Sequence, residues 1–149
     1  VRKIIFDLRP MALDDLGLVP ALRQYMKDYQ SRTGIETDFA FYGNDRRYNP
    51  AFEVALFRLC QEALTNVAKH AGATRVWVTV ETTGGQEIKL SVKDDGVGFD
   101  PEQVKPGNGG SKFGLVGMRE RAELLSGSME VQSAPGRGAK LTFVLPLVD

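Results

Sequence analysis

One short segment, EALTNVAKHAG at residues 62–72, concentrates the polar side chains that could do chemistry. Glu62 and Asn66 are four residues apart, and two basic residues, Lys69 and His70, follow within about one further turn of an α-helix. A carboxylate, an amide and two basic groups in this arrangement could bind or act on a charged ligand. His70 is the only histidine in the chain. A solvated helix edge, with an ion pair and basic residues at the helix C-terminus, is the alternative interpretation.

An apolar stripe on the same helix predicts where these polar groups lie. At about 100° per residue, five apolar residues form a continuous stripe. They are Phe52, Leu56, Leu59, Ala63 and Val67. Glu62, Asn66 and Lys69 fall within a narrow arc beside this stripe, and the histidine lies on its border. The pattern therefore predicts a polar rim along the edge of the core, where a cleft could open.

The segment EIKLSVKDDGVGFD, residues 87–100, places a carboxylate on an apolar strand face. Strand alternation puts Asp94 on the same face as Ile88, Leu90 and Val92. A carboxylate that points inward is costly unless hydrogen-bond donors surround it, and an amino group of a ligand would serve as one. Gly96 and Gly98 then allow the backbone to turn sharply and to approach a ligand closely. A hairpin turn with a capping aspartate is the simpler alternative.

A third feature is the long stretch rich in glycine and proline that ends near Phe113 and leads into the sequence GLVGM. Its length and composition are typical of a functional loop. Gly114 and Gly117 flank the start of the next predicted helix, whose free amide groups and dipole favour phosphate. Neither a Walker loop nor a dinucleotide-binding fingerprint fits, because the glycines lack the required spacing and strand context.

Composition argues against several classes of function. The 149 residues fit one domain, and 19 basic residues balance 19 acidic ones, so no net charge draws the chain to nucleic acid or anionic lipid. One histidine and one cysteine cannot assemble a Cys/His zinc site or a histidine-based triad. Cys60 lies among apolar residues and is expected to pack in the core, in a reducing cytosol. No apolar run approaches the length of a membrane span.

The order of predicted elements indicates an α/β two-layer sandwich, with three helices on one face of a mixed, mostly antiparallel sheet. We expect helices at about residues 18–32, from Pro50 onward, and in LVGMRERAELLSG. Strands are expected in IETDFAFYG, RVWVTVET, EIKLSVKD, SMEVQSA and AKLTFVLPL, the second and third as a hairpin that turns at Gly84 and Gly85. The chain begins with Val1, which suggests an excised fragment.

Taken together, these motifs resemble the GHKL ATPase superfamily, which has the Bergerat fold. The resemblance rests on four ordered motifs: E-x-x-x-N continuing into VAKHA, DDGVGFD, FGLVGMRER, and PGRGAKLTFVLP. Within the superfamily, the chain is similar to the catalytic, ATP-binding domain of sensor histidine kinases that act with NarL-type response regulators, the DesK, NarX and DegS class. DLRPMALDDLGLVPAL resembles the junction that leaves the dimerisation helices of this class. The resemblance implies that residues 1–10 end such a helix or form a linker, and that residues 11–149 are the ATP-binding domain.

For the polar rim, the resemblance implies roles in handling the ATP phosphates. Asn66 would coordinate a Mg²⁺ ion that bridges the phosphates. Glu62 would act as a general base or polarising carboxylate near the reacting centre. Lys69 and His70 would contact phosphate oxygens.

For the glycine-rich segments, the resemblance implies contacts with adenine and a mobile lid. Asp94 would accept a hydrogen bond from the adenine amino group, and Thr142 would assist through a water molecule. Gly96 and Gly98 would let the chain pass the adenine, and residues 101–113 would form the ATP lid. The start of the following helix would offer its backbone to the phosphates, at Gly114, Leu115 and Gly117.

Two positions depart from the family pattern. Lys112 stands two residues before Gly114, where many relatives have glycine, which leaves the phosphate contacts of the lid open. Ala139 follows Gly138, where threonine is common, which puts a secondary contact in doubt.

The implied reaction is transfer of the ATP γ-phosphoryl group to a histidine, followed by relay to an aspartate on a response regulator. The implied partners are ATP, the protein's own dimerisation and phosphoacceptor domain, and a NarL-type regulator, in a homodimeric full-length protein that does not bind nucleic acid. The domain would be cytoplasmic, in a parent that is either soluble or membrane-anchored. His70 is not expected to be the acceptor, because it shares a helix with Asn66 and cannot swing around to attack in line. The acceptor would therefore precede Val1, and this chain alone would not autophosphorylate.

Three other functions stay open. ATPases of the gyrase, Hsp90 or MutL kind share the superfamily but are usually larger and lack the NarL-class flanks. A serine kinase of the anti-sigma type shares the fold but lacks the LRP…LGL entry. A nucleotide-sensing module without transfer activity would share the site, and ATP turnover after restoring the upstream helices separates it from a kinase.

Overall fold

Five strands form one mixed sheet in the computed structural model, which describes residues 11–43, 47–83, 86–101 and 114–147. The strands are β1 (Glu36–Tyr42), β2 (Arg75–Thr83), β3 (Glu87–Asp94), β4 (Ser128–Ser133) and β5 (Ala139–Pro146). They lie across the sheet in the order β1, β2, β3, β5, β4. β1 runs parallel to β2, and the other neighbouring pairs are antiparallel. The expected mixed, mostly antiparallel sheet and the β2–β3 hairpin are therefore confirmed.

Within the described ranges, the α-helices are α1 (Met11–Leu16), α2 (Leu18–Thr33), α3 (Pro50–Asn66) and α4 (Leu115–Leu124). The sequence predicted the three longer helices but not the short α1. Gly17 separates α1 from α2 with a φ of 99°, a conformation that glycine adopts without strain. Three expectations lie outside the described residues: the helix end at residues 1–10, the hairpin turn at 84–85, and the lid from residue 102 to 113.

α3 begins at Pro50, as predicted, and its first turn is capped. The side chain of Asn49 accepts a hydrogen bond from the backbone N–H of Ala51 at 2.9 Å, and proline needs no donor at this position. At the other end, Val67–Ala71 form a π-helical turn, and Gly72 ends the element with a φ of 61°. The wider turn carries two basic residues, Lys69 and His70.

The core lies between the sheet and the three longer helices, which confirms the predicted two-layer sandwich. All five residues of the predicted apolar stripe, four on α3 and Val67 directly after it, are at most 6% exposed. The central strands contribute the opposite layer: Val76, Val78, Val80, Ile88, Leu90, Val92, Leu141, Phe143 and Leu145. Cys60 is fully buried among them, as expected, and burial raises the pKa of its thiol to about 12.

The buried face of β3 ends at Asp94, which confirms the predicted inward carboxylate. Asp94 lies opposite Val76 on β2 and opposite Ala139 on β5. Its side chain points to the helical layer because it continues the alternation of apolar residues along β3. The carboxylate therefore emerges where the sheet ends beneath the last turns of α3.

Candidate functional site

A cavity of about 60 Å³ opens between the end of α3 and the sheet edge where β3 ends; we call it the Asp94 cavity. Five residues that the sequence analysis singled out line it together: Asn66, His70, Asp94, Gly98 and Leu115. The rest of its lining is apolar, from α3, β3, β5 and the loop after β3. A narrow apolar cavity with one buried carboxylate suits a flat ligand group that carries a hydrogen-bond donor.

The carboxylate of Asp94 is buried and oriented by the backbone. Asp94 is 5% exposed, and the Gly96 N–H donates to its Oδ1 at 2.8 Å. Burial raises the pKa of Asp94; the Gly96 N–H opposes this rise, and the nearby charge of Asp95 adds to it. In these surroundings of low polarity, the carboxylate is a strong acceptor for an amino group that enters the cavity.

The adjacent carboxylate, Asp95, is held by hydrogen bonds and does not line the Asp94 cavity. It accepts hydrogen bonds from the N–H and hydroxyl of Thr74 at 2.8 and 2.6 Å, and from the N–H of Arg75 at 3.0 Å. The hydrogen bond from the Thr74 hydroxyl is the main cause that lowers the pKa of Asp95. Asp95 therefore ties the end of β3 to the start of β2, whereas its neighbour faces the cavity.

In the D-x-G-x-G motif, neighbouring backbone leaves no room for a side chain at either glycine. A Cβ at Gly96 would lie 2.2 Å from the carbonyl oxygen of Ala71, and one at Gly98 would lie 2.1 Å from that of Ala134. Gly98 also has a φ of 68° and lines the Asp94 cavity, whereas Gly96 does not line it. Both glycines therefore leave room for neighbouring backbone, which fixes the loop after Asp94. Their expected close approach to a ligand stays a prediction.

Gly138 supports the same loop and was not identified from the sequence as a site residue. It has a φ of 69°, and a Cβ there would lie 2.2 Å from the carbonyl oxygen of Asp94. Its own carbonyl accepts a hydrogen bond from the Ser133 hydroxyl at 2.7 Å, and that hydroxyl accepts one from the Phe99 N–H at 2.9 Å. The β4–β5 turn therefore holds both sides of the loop that presents the carboxylate.

A second, wider cleft of about 510 Å³ lies on the other side of Asn66, between side chains of α2, α3 and α4. Glu62, Asn66 and Lys69 line it together, as the helical wheel predicted. Its other charged lining residues are Arg32, Arg58 and Arg121. Among the described residues that line it, four cations and one carboxylate give this cationic cleft a positive charge, which favours an anionic ligand. Only Glu62, Asn66 and Lys69 could be identified from the sequence, since contacts with α2 and α4 depend on the tertiary fold.

Glu62 forms an ion pair in the cationic cleft. Nη1 of Arg121 donates to Oε1 of Glu62, and the two side chains are 40% and 39% exposed respectively. The first residue before α4, Gly114, lies beside the same carboxylate, because a Cβ there would be 3.7 Å from Oε2 of Glu62. Glu62 therefore contacts α4 near its start and again two turns later. That two-turn spacing places Gly114 and Arg121 on one face of α4, the face beside Glu62.

The start of α4 borders the Asp94 cavity. Gly114 takes a φ of 68°, and its carbonyl accepts the first helical hydrogen bond, from the N–H of Met118 at 3.1 Å. Leu115 is buried and lines the Asp94 cavity. Gly117 is exposed, lines neither cavity, and would place a Cβ in open space. The amide groups of this first turn have no partners within the helix itself, which makes the turn suitable for an anion.

The structure does not bring Thr142 to the Asp94 cavity. Leu141 and Phe143 are buried against the helices, so Thr142 between them points to the opposite face of the sheet, where it lies across from Ser91. The expected water-mediated contact of Thr142 with a ligand is therefore not supported. Ala139 and Leu141 line that part of the cavity instead.

Two further expectations concern metal and membrane. Among the described residues, no three His, Cys, Asp or Glu side chains converge to hold a metal ion. A Mg²⁺ site based on Asn66 fits this arrangement, since Mg²⁺ is usually held by one or two protein side chains together with ligand phosphates and water.

In the same described ranges, no helix is long and apolar enough to cross a membrane.

The sheet covered on one face by helices, with a buried carboxylate beside a cationic cleft, defines a nucleotide-binding α/β sandwich. The family model described as "Histidine kinase-, DNA gyrase B-, and HSP90-like ATPase" matches residues 51–149. The chain belongs to this family, as the resemblance of its motifs implied.

Relatives within the family support the histidine kinase branch. The chain is 46% identical over 149 residues to "Signal transduction histidine-protein kinase/phosphatase DegS" of Brevibacillus brevis, covering 99% of this chain and 37% of that protein. It is 46% identical over 142 residues to the protein of the same name from Bacillus subtilis, covering 93% and 36%. The chain thus spans little more than a third of these relatives. A histidine kinase domain from Erythrobacter litoralis has the same fold, with a TM-score of 0.65 at 21% identity, over 87% of this chain and 61% of that one.

Proposed function

We propose that this chain is the ATP-binding catalytic domain of a sensor histidine kinase, and that it donates the γ-phosphoryl group of ATP to a histidine upstream of Val1. The observation that carries the proposal is that one residue, Asn66, lines both the Asp94 cavity and the cationic cleft. A narrow apolar cavity beside a wide cationic cleft suits a ligand with a flat base and an anionic tail. A nucleoside triphosphate has this form.

The adenine would occupy the Asp94 cavity. Its amino group would donate to the Asp94 carboxylate, whose remaining contacts come from the backbone and keep it in place. Gly98 and Leu115 would lie against the base. The preformed acceptor supports adenine as the base. A base with a carbonyl at the position of the adenine amino group could not donate a hydrogen bond to the Asp94 carboxylate.

The phosphates would run past Asn66 toward the cationic cleft. Lys69 lines the cleft and would contact phosphate oxygens there. His70 lines the Asp94 cavity, so it would contact the phosphate nearest the nucleoside. The first turn of α4, at Gly114, Leu115 and Gly117, would offer backbone amides. Asn66 would hold Mg²⁺, which supplies charge neutralisation when it is bound.

Glu62 is the candidate general base or polarising carboxylate, because it lines the cationic cleft and is the one carboxylate there within the described part of the chain. In the proposed step, a histidine nitrogen attacks the γ-phosphorus, and a P–N bond forms as the bond to the β–γ bridging oxygen breaks. ADP leaves, and the imidazole proton passes to Glu62. Positioning and charge neutralisation by Lys69 supply most of the catalysis.

His70 is proposed to bind the nucleotide and not to accept the phosphoryl group. It lies in the π-helical turn that continues directly from Asn66, so it cannot approach the γ-phosphorus in line from outside. Incubation with γ-labelled ATP should leave this chain unlabelled, whereas a chain extended upstream through the phosphoacceptor helix should become labelled. Acid-labile label on His70 of the short chain would contradict the assignment of roles on α3, and an extended chain that binds ATP without labelling would favour a nucleotide-sensing module.

The remaining parts of the proposal concern the parent protein. Residues 1–10 would end the dimerisation and phosphoacceptor helix, and residues 11–149 would form the catalytic domain of a homodimer. The phosphoryl group would pass to an aspartate of a NarL-type response regulator in the cytoplasm. The DegS relatives support this subclass through their names and their 46% identity.

A further inference from the structure

Two glutamates of α3, Glu53 and Glu62, form ion pairs with arginines, and the two pairs differ in how far they are buried. Glu53 is buried; its carboxylate accepts from Nη2 of Arg47 at 3.1 Å and from the N–H of Tyr48 at 3.0 Å. The pair of Glu62 and Arg121 lies in an open cleft, with both side chains well exposed. Since an exposed pair contributes little to stability, this second pair can exchange partners at small cost, whereas the first cannot.

We propose that Arg121 is a positioning residue that holds Glu62 while the terminal phosphate of ATP is absent and moves to that phosphate when ATP binds. This inference rests on the proposed function and deepens it, by naming a residue that distinguishes ATP from ADP. The exchange releases the Glu62 carboxylate at the moment when the γ-phosphoryl group is in place.

The charges of the cleft support the exchange. Glu62 is the one carboxylate among the lining residues that the structure describes, so Arg121 can pair there with Glu62 or with an incoming anion. A terminal phosphate carries more negative charge than a carboxylate, and the planar guanidinium fork binds phosphate oxygens in pairs. The phosphate is therefore the stronger partner for Arg121.

The geometry places Arg121 within reach of both partners. It follows Gly114 by two turns of α4, on the face where Gly114 also lies beside Glu62. The proposed phosphate path passes between the first turn of α4 and Asn66, so it runs along this same face. A carboxylate engaged by a guanidinium has fewer lone pairs free for another proton, and the exchange therefore makes Glu62 available as a base.

The test compares ADP with a non-hydrolysable ATP analogue in calorimetric titrations of the 149-residue chain with Mg²⁺. Arg121→Met should weaken binding of the analogue by about tenfold or more, as expected for a lost charge-assisted hydrogen bond, while ADP binding changes little. Arg121→Lys should retain part of the preference. Glu62→Gln should tighten binding of the analogue and not of ADP, because it removes the competing partner and a negative charge.

The matched control is Arg119→Met on the same helix, since Nη1 of Arg119 donates to the carbonyl of Met129 at 3.0 Å, outside the cleft. It should leave the ratio of the two affinities unchanged. If Arg121 and Glu62 only tied α3 to α4, then Arg121→Met and Glu62→Gln would both weaken binding of the two nucleotides equally, and the exchange would be refuted. A wild-type chain that binds neither nucleotide would instead refute the proposed function, and the exchange with it.

Discussion

The two cavities that flank Asn66 are built in different ways. The Asp94 cavity lies at the end of the sheet, where strand register and backbone contacts fix a single acceptor in an apolar wall. The cationic cleft lies over three helices and is lined by long charged side chains. The difference indicates that the base is recognised by a rigid, preformed acceptor, whereas the charged tail is met by side chains that can change partners.

The carboxylates of the two cavities show the same contrast. Asp94 is 5% exposed and accepts a backbone N–H that cannot move away. Glu62 has a side chain that is 39% exposed, and its partner is a flexible arginine. One carboxylate is therefore suited to selecting a ligand, and the other to taking part in a reaction.

The largest expected effect separates reaction from binding. In a chain extended upstream to include the phosphoacceptor, Glu62→Gln should lower the rate of histidine phosphorylation by about 10²- to 10⁴-fold, the usual contribution of a general base. Binding of ATP should persist, because the Asp94 cavity, which would hold the adenine, is unchanged. Glu120→Gln, an exposed position on α4, is the matched control. Full activity of the Glu62 variant would assign the proton transfer to another group.

The next effect tests whether the backbone around Asp94 is as rigid as the contacts indicate. Gly138→Ala places a Cβ 2.2 Å from the Asp94 carbonyl oxygen at a φ of 69°, and it should lower the free energy of unfolding by roughly 3 kcal/mol or more. Gly136→Ala is the matched control, with a φ of 79° and open space, and should cost about 1–2 kcal/mol. Urea unfolding measures both. Equal losses of unfolding free energy in the two variants would show that the loop can shift to accept the added Cβ, which would contradict a rigid, preformed acceptor.

A smaller effect concerns pH, and it has opposite signs for the two neighbouring aspartates. Burial raises the pKa of Asp94 above its ordinary value of 3.8, so its contribution to stability falls as pH rises from 3.8 through the raised pKa. The Thr74 hydroxyl lowers the pKa of Asp95, so its contribution is present above 3.8 and is lost as pH falls through the lowered pKa.

Substituting Asp94 and Asp95 should therefore change the pH dependence of the unfolding free energy in opposite directions. Unfolding free energies measured across the acidic range should show that Asp94→Asn gains stability relative to wild type as pH rises. Asp95→Asn should lose stability relative to wild type over the same change. Parallel curves for the two variants would mean that the aspartates do not differ in environment.

Much of the fold and part of the site could be predicted because the relevant patterns are local. The period of 3.6 placed the α3 stripe in the core and put Glu62, Asn66 and Lys69 in one cleft. The period of two placed Asp94 inward. The same period, applied to AKLTFVLPL, turns Thr142 away from the helices, whereas the family resemblance implied a contact with the ligand.

What could not be predicted depends on contacts between distant segments. Arg121 reaches Glu62 only because α4 packs beside α3, and Gly138 meets Asp94 only because β5 pairs with β3. The π-helical turn at Val67–Ala71 also escaped prediction, because its sequence has the same periodicity as the α-helix before it. Pairing and packing of this kind are set by the whole core and not by a short window.

The central claim, that Asn66 separates a base site from a phosphate site, is tested most directly by calorimetric titration with adenosine, ADP and ATP in the presence of Mg²⁺. Asp94→Asn should weaken all three ligands by a similar factor, about 10- to 100-fold, the equivalent of about 1.5–3 kcal/mol for a charge-assisted hydrogen bond. Lys69→Met should leave adenosine unchanged and weaken ADP and ATP. Asp95→Asn and Lys89→Met, which alter the neighbouring carboxylate and an exposed lysine of β3, are the matched controls. Unchanged affinities in Asp94→Asn, or a loss of adenosine binding in Lys69→Met equal to the loss of ATP binding, would contradict the claim.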